Sequence, residues 1–142
     1  MCGRGSTRRQ RWLRAVTAGV GLLVGSIVPV PLARHPELGR FGPDKLLHLL
    51  GHGGLAAALA DALVADCRDP RLAGLLAAVG STAVGAVAAY IQQYVPGRAP
   101  ERADTVAGLL GTAVGIYWWA TASDRTEPAA GRPADADGRE SS

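Results

Sequence analysis

Cysteine is nearly absent from this chain. Its two thiols, Cys2 and Cys67, have a spacing that fits neither a zinc site nor a disulfide framework, so both read as reduced and unpaired. Charge of either sign is thin. The 15 Lys and Arg exceed the 12 Asp and Glu by only three, too mild a balance to indicate nucleic acid as a partner. Aromatic residues make up 5% of the chain although 48% of it is hydrophobic. No nucleophile elbow, phosphate-binding loop or zinc-hydrolase helix is present, and no cofactor or metal is expected. The 142 residues allow one domain.

What the chain does contain is apolar runs, at 13–30, 46–65, 72–95 and 103–122. A bilayer core needs about 20 apolar residues of helix. The alternative is a soluble Ala-rich bundle. The run 72–95 argues against it, because it has no charged residue, whereas a soluble surface helix carries a polar stripe at a period of about 3.6. Pro29 and Pro31, Pro43, Pro70, and Pro96 with Pro100 punctuate the runs, since proline lacks an N–H and biases its predecessor away from helix. The expected fold is therefore all-α, a bundle of four transmembrane helices over 13–122. A basic N-terminal tail (1–12) and a small, polar, disordered C-terminal tail (123–142) flank it.

The stretch "STRRQRWLRAV" has the look of a twin-arginine signal, but it lacks a good small-x-small cleavage site, so the first helix reads as retained. Arg4, Arg8, Arg9, Arg11 and Arg14 precede or open that helix. By the positive-inside rule both termini lie in the cytoplasm. Trp12, Tyr117, Trp118 and Trp119 suit the inner interface, and Tyr90 and Tyr94 the outer one. Gly21 with Gly25, and Ala107 with Gly111 and Gly115, have the spacing of close-approach helix surfaces. Asp61, an acid one turn from the inner edge, is a functional candidate by default, though it can also reach the interface or pair with Arg71.

This topology gathers polar residues on the outer face. Asp44, Lys45 and His48 open the second helix, Gln92 closes the third, Arg98 sits in the following turn and Asp104 opens the fourth. They are the candidate ligand-binding set. The bland alternative for Asp44 and Asp104 is capping of free helix N–H groups. Asp44, His48 and His52 share one helical stripe. Two histidines at this spacing can bind a metal, but interhelical hydrogen bonding by both is the expectation.

"DKLLH" at 44–48, then "QQYVPGRAPERAD" and "GLLGTAVG", resemble the VanZ-like family of small integral membrane proteins. The resemblance covers about Ser26 to Gly115. It maps the family motifs onto Asp44, Lys45 and His48, then Gln92, Pro96, Gly97, Arg98 and Asp104, then Gly111 and Gly115. The chain departs from the family where Ala89 replaces a Glu and Gly108 replaces an Asn. The resemblance implies an envelope protein linked to glycopeptide (teicoplanin) resistance. Its expected partners are the lipid bilayer and an anionic lipid or cell-wall precursor, not nucleic acid. Oligomeric state is left open. The alternatives are a membrane enzyme acting on a lipid-linked substrate with His48 as acid or base, a small transporter, and a purely structural membrane protein.

Overall fold

The computed structural model describes residues 5–27, 43–66, 68–96 and 102–126. They form four helices and no strand: α1 (Gly5–Ile27), α2 (Pro43–Ala65), α3 (Pro70–Gln92) and α4 (Arg102–Thr126). The proline-based boundaries hold for a local reason. Pro43 and Pro70 each occupy the first position of a helix, where a missing N–H costs nothing. Asp69 caps α3 by accepting from the backbone N–H of Arg71 at 2.9 Å and of Leu72 at 3.2 Å, a contact of about 1 kcal/mol. Several boundaries differ from the sequence reading. α1 begins at Gly5 rather than Leu13, so most of the basic stretch is helix rather than tail. α3 ends at Gln92 rather than Val95, and α4 continues to Thr126, so residues 123–126 of the expected disordered tail are helical.

Side-chain contacts set the order of the helices. The start of α1 meets the end of α2, and the end of α1 meets the end of α3. The bundle therefore runs up and down, with α2 and α4 parallel and in closest packing. Among the described residues nine hydrophobic ones are buried, and all but Leu55 are alanines. The larger aliphatics face outward: Val16, Val20 and Val24 on α1, Leu46, Leu47 and Leu50 on α2, Leu75 and Val79 on α3, Leu109, Leu110 and Val114 on α4. Two segments, Lys45–Ala65 and Pro70–Gln92, are long and apolar enough to cross a membrane. Only 33% and 28% of their apolar windows are buried, which is not the pattern of helices wrapped inside a soluble core.

The small residues play two roles. Gly53, Gly111 and Gly115 lie in the seam between α2 and α4. A Cβ on Gly53 would come within 2.9 Å of the Gly111 carbonyl oxygen, and Cβ atoms on Gly111 and Gly115 would run into the carbonyls of Leu49 and Gly53. Gly21 and Gly25 have the same spacing, but a Cβ at either meets nothing within 4 Å. The expected close approach on α1 is therefore absent among the described residues, because that face of α1 turns away from the bundle.

A polar clasp ties the start of α1 to the end of α2. Arg8 pairs with Asp66, whose other oxygen accepts from Trp12 Nε1 at 3.2 Å. Arg11 Nη1 donates to Asp61 Oδ1 at 3.0 Å and to the Asp61 carbonyl at 3.3 Å. Asp61 thus pairs with Arg11 rather than with Arg71. Both partners are well exposed, and such pairs contribute about 0.2–1 kcal/mol. The hydrogen bond from Arg8, with that from Trp12, holds the Asp66 carboxyl below its ordinary value of 3.8. Because the folded value is the lower one, the clasp is fully present above pH 3.8 and is lost as pH falls through the folded value. The difference in thermal midpoint between the parent and Asp66→Asn should stay constant from about pH 5 to 8 and close only in stronger acid. A gap that closes between about pH 5 and 7 would contradict this assignment.

Candidate functional site

The N-termini of α2 and α4 and the C-terminus of α3 meet at the end of the bundle opposite the clasp. There the helices leave a cleft of about 110 Å³. His48 and His52 of α2, Thr82, Gly85, Ala89 and Gln92 of α3, and Asp104, Thr105 and Gly108 of α4 are among the residues that line it.

Asp104 falls in the first turn of α4, where a carboxylate complements the helix dipole. Its side chain nevertheless turns inward and is only 13% exposed. Lys45 Nζ stands 3.5 Å from Asp104 Oδ1. That is an ion-pair distance but longer than a hydrogen bond. Oδ1 is consequently a buried acceptor with no hydrogen-bond partner among the described residues. Such an atom costs about 1–3 kcal/mol if left unmet.

Gln92 is 4% exposed and donates through Nε2 to the Ser26 carbonyl at 3.0 Å, joining α3 to the end of α1. Ser26 in turn donates to the Leu22 carbonyl at 2.7 Å. Since a carbonyl can only accept, the orientation of the Gln92 amide is settled. Its Oε1 is the acceptor end, on a residue that lines the cleft.

His52 forms the floor. It is 4% exposed and lies two turns into α2 from Lys45. Its ring is held between two glycines. A Cβ on Gly85 would come 2.8 Å from Cε1, and one on Gly108 2.9 Å from Cδ2. His52 Nδ1 lies 3.1 Å from Ser81 Oγ, which lies 3.2 Å from the His52 carbonyl and 2.9 Å from Thr112 Oγ1. Every donor in this network is used when Thr112 donates to Ser81, Ser81 to the His52 carbonyl, and His52 Nδ1–H to Ser81 Oγ. This assignment leaves Nε2 as an acceptor. His48 stacks one turn above, with ring centroids 6.5 Å apart.

The Ser81–His52 distance is that of a nucleophile and its base. Ser81, however, is fully buried and its hydroxyl is shared between Thr112 and a backbone carbonyl. The pair is accordingly an interhelical tie across α2, α3 and α4.

Of the six candidate residues, Lys45, His48, Gln92 and Asp104 come together at this end. Arg98 and the side chain of Asp44 lie outside the described residues. Sequence reasoning did not single out Ser26, Ser81 or Thr112 as partners. The only signal for them is polar residues at interior positions of apolar runs, which says nothing about which neighbour each meets. Nor did it place Ala89 and Gly108, noted only as departures from the family motif, on the wall of the same cleft. Comparison with protein-family models, curated proteins and solved structures returned no match to this chain.

Proposed function

We propose that this chain is a multi-pass membrane protein of the VanZ-like type, and that the cleft at the end of its bundle receives the head group of a lipid or a lipid-linked cell-wall precursor. In this reading all four helices cross the bilayer and both termini are cytoplasmic. Alanines inside with leucines and valines outside are the distribution favoured where lipid, not water, is the solvent. Length supports it for α3, whose 23 residues at about 1.5 Å per residue match a hydrocarbon core of about 30 Å. Exposed Tyr90 and Tyr94 near the cleft, with Tyr117 and Trp118 toward the other end, suit two interfacial belts.

The observation that carries the functional reading is the convergence of Lys45, His48, Gln92 and Asp104 from three helices onto one cleft. Polar groups at this depth are expensive in a bilayer and mark binding sites by default. A head group is the ligand that lies at the level of helix ends. Lys45 supplies the cation for a phosphate, and Asp104 and Gln92 orient the rest. A link to glycopeptide resistance follows if the ligand is a wall precursor.

The test uses the full chain in phosphatidylcholine nanodiscs doped with phosphatidylglycerol, phosphatidylethanolamine or a lipid-linked wall precursor. Native mass spectrometry should find one dopant enriched over phosphatidylcholine, and Lys45→Ala should reduce that enrichment about tenfold, or about 1.4 kcal/mol. Equal retention of all lipids by a folded protein would reject the reading. Loss of fold in Lys45→Ala would be visible separately as a loss of helical circular dichroism.

A further inference from the structure

A cleft built for a phosphate alone should be lined with donors. This one also carries acceptors on Asp104, Gln92 and His52. Asp104 Oδ1 is buried without a hydrogen-bond donor among the described residues. Gln92 commits an amide N–H to Ser26, which settles Oε1 as its acceptor end. With Nδ1–H donating to Ser81 Oγ, His52 Nε2 is an acceptor. The residues that carry these acceptors belong to three different helices and line the same cleft of about 110 Å³.

The volume narrows the choice. A cleft of about 110 Å³ admits a short arm ending in one polar group. The charge narrows it further. A buried carboxylate oxygen is best met by a cation that also carries N–H bonds, because charge-assisted hydrogen bonds are about twice as strong as neutral ones. A primary ammonium has three donors on a small tetrahedral centre, to offer to the acceptors that Asp104, Gln92 and His52 carry. A quaternary ammonium has none.

Resting on the head-group reading above, we infer that the cleft is a primary-ammonium site, formed by Asp104, Gln92 and His52, that selects an aminoethyl-type head group over its quaternary counterpart. Lys45 stands at the same carboxylate, on the side where the phosphate of a zwitterionic head group would lie. The ammonium can come from a lipid such as phosphatidylethanolamine or from a free amine in solution.

The experiment measures thermal midpoint and bound lipid for the full chain in phosphatidylcholine nanodiscs. One arm adds phosphatidylethanolamine to the bilayer. The other adds ethanolamine hydrochloride to the buffer, with tetramethylammonium chloride at equal ionic strength as control. A response to the first arm alone assigns a lipid source, and a response to the second alone a soluble one. In the arm that responds, Asp104→Asn should weaken the response at least tenfold. Ala89→Leu, which fills the cleft from α3 without touching the three acceptors, should abolish it, so the inference stays testable if Asp104→Asn fails to fold.

The inference is overturned if neither primary amine outperforms its quaternary counterpart, or if folded Asp104→Asn responds like the parent. Phosphatidylglycerol enriched equally by parent and Asp104→Asn, with no response to either amine, overturns the ammonium site but leaves the head-group reading standing. Absence of any lipid enrichment overturns both.

Discussion

Valine at Gly111 or Gly115 should unfold this bundle more readily than any change on its outer surface. The reason is which atoms stand opposite. A Cβ on Gly111 meets the backbone of Leu49, and one on Gly115 meets the backbone of Gly53. Those carbonyls belong to the interior of α2 and are held in its own helical hydrogen bonds, so no rotamer change relieves the collision. The helices must separate along the most intimate contact in the fold. Overpacking of this kind costs about 1–3 kcal/mol and occasionally more, and valine sits at the upper end because its branched Cβ cannot turn aside. Gly54→Ala is the matched control. It lies on α2, the partner helix of the seam, but a Cβ there meets nothing within 4 Å, and the change removes a helix-propensity penalty of about 1 kcal/mol. Reversible unfolding in mixed micelles with increasing SDS should give a large loss for Gly111→Val and Gly115→Val, and no loss or a slight gain for Gly54→Ala. Equal stability of all three variants would mean that α2 and α4 do not meet at this seam. Separating them would also open the cleft, so head-group selectivity should fall with stability.

That contrast illustrates what could be read from the chain alone. Helix positions were legible because proline and apolar length act locally. Pro43 and Pro70 start helices wherever they stand in this chain, whatever the neighbours do. That Lys45 and Asp104 share one end of the bundle was legible as well, from connection lengths and alternating direction, but not that the two would pair. Rotation of each helix about its axis was not. Gly21 and Gly25 carry the same spacing as Gly111 and Gly115, yet only the second pair faces a partner. Spacing identifies a stripe but does not say which way it points. Nor does it predict long-range polar ties. Asp61 has a neighbouring arginine in sequence at Arg71, but it bonds to Arg11, fifty residues away. In the same way, the arginine-rich start of the chain is legible as a pattern of charge, but the pattern does not disclose that Arg8, Arg11 and Trp12 form a clasp on α2.

His52→Ala should be the second severe lesion. The ring fills a slot walled by Gly85 and Gly108, which have no side chains to close it, so its removal leaves a hole. Large-to-alanine changes at such sites cost about 2–5 kcal/mol. The lost hydrogen bond adds less, because Ser81 keeps Thr112 and the carbonyl of residue 52 as partners. Ser81→Ala is the more informative partner change. It leaves the buried Nδ1–H of His52 without an acceptor, at about 1–3 kcal/mol. The two changes together should therefore cost less than their sum. A double-mutant cycle in SDS unfolding should give a coupling of about 0.5–1.7 kcal/mol, the range for hydrogen bonds between membrane helices. Strict additivity would show that the 3.1 Å contact carries no energy. The coupling also bears on the chemistry of the cleft. Without Ser81 to accept from Nδ1, the imidazole is free to place its proton on Nε2, which turns an acceptor at the floor of the cleft into a donor. Ser81→Ala should then weaken ammonium binding at a residue that never touches the ligand, while leaving the approach of Lys45 to Asp104 unchanged.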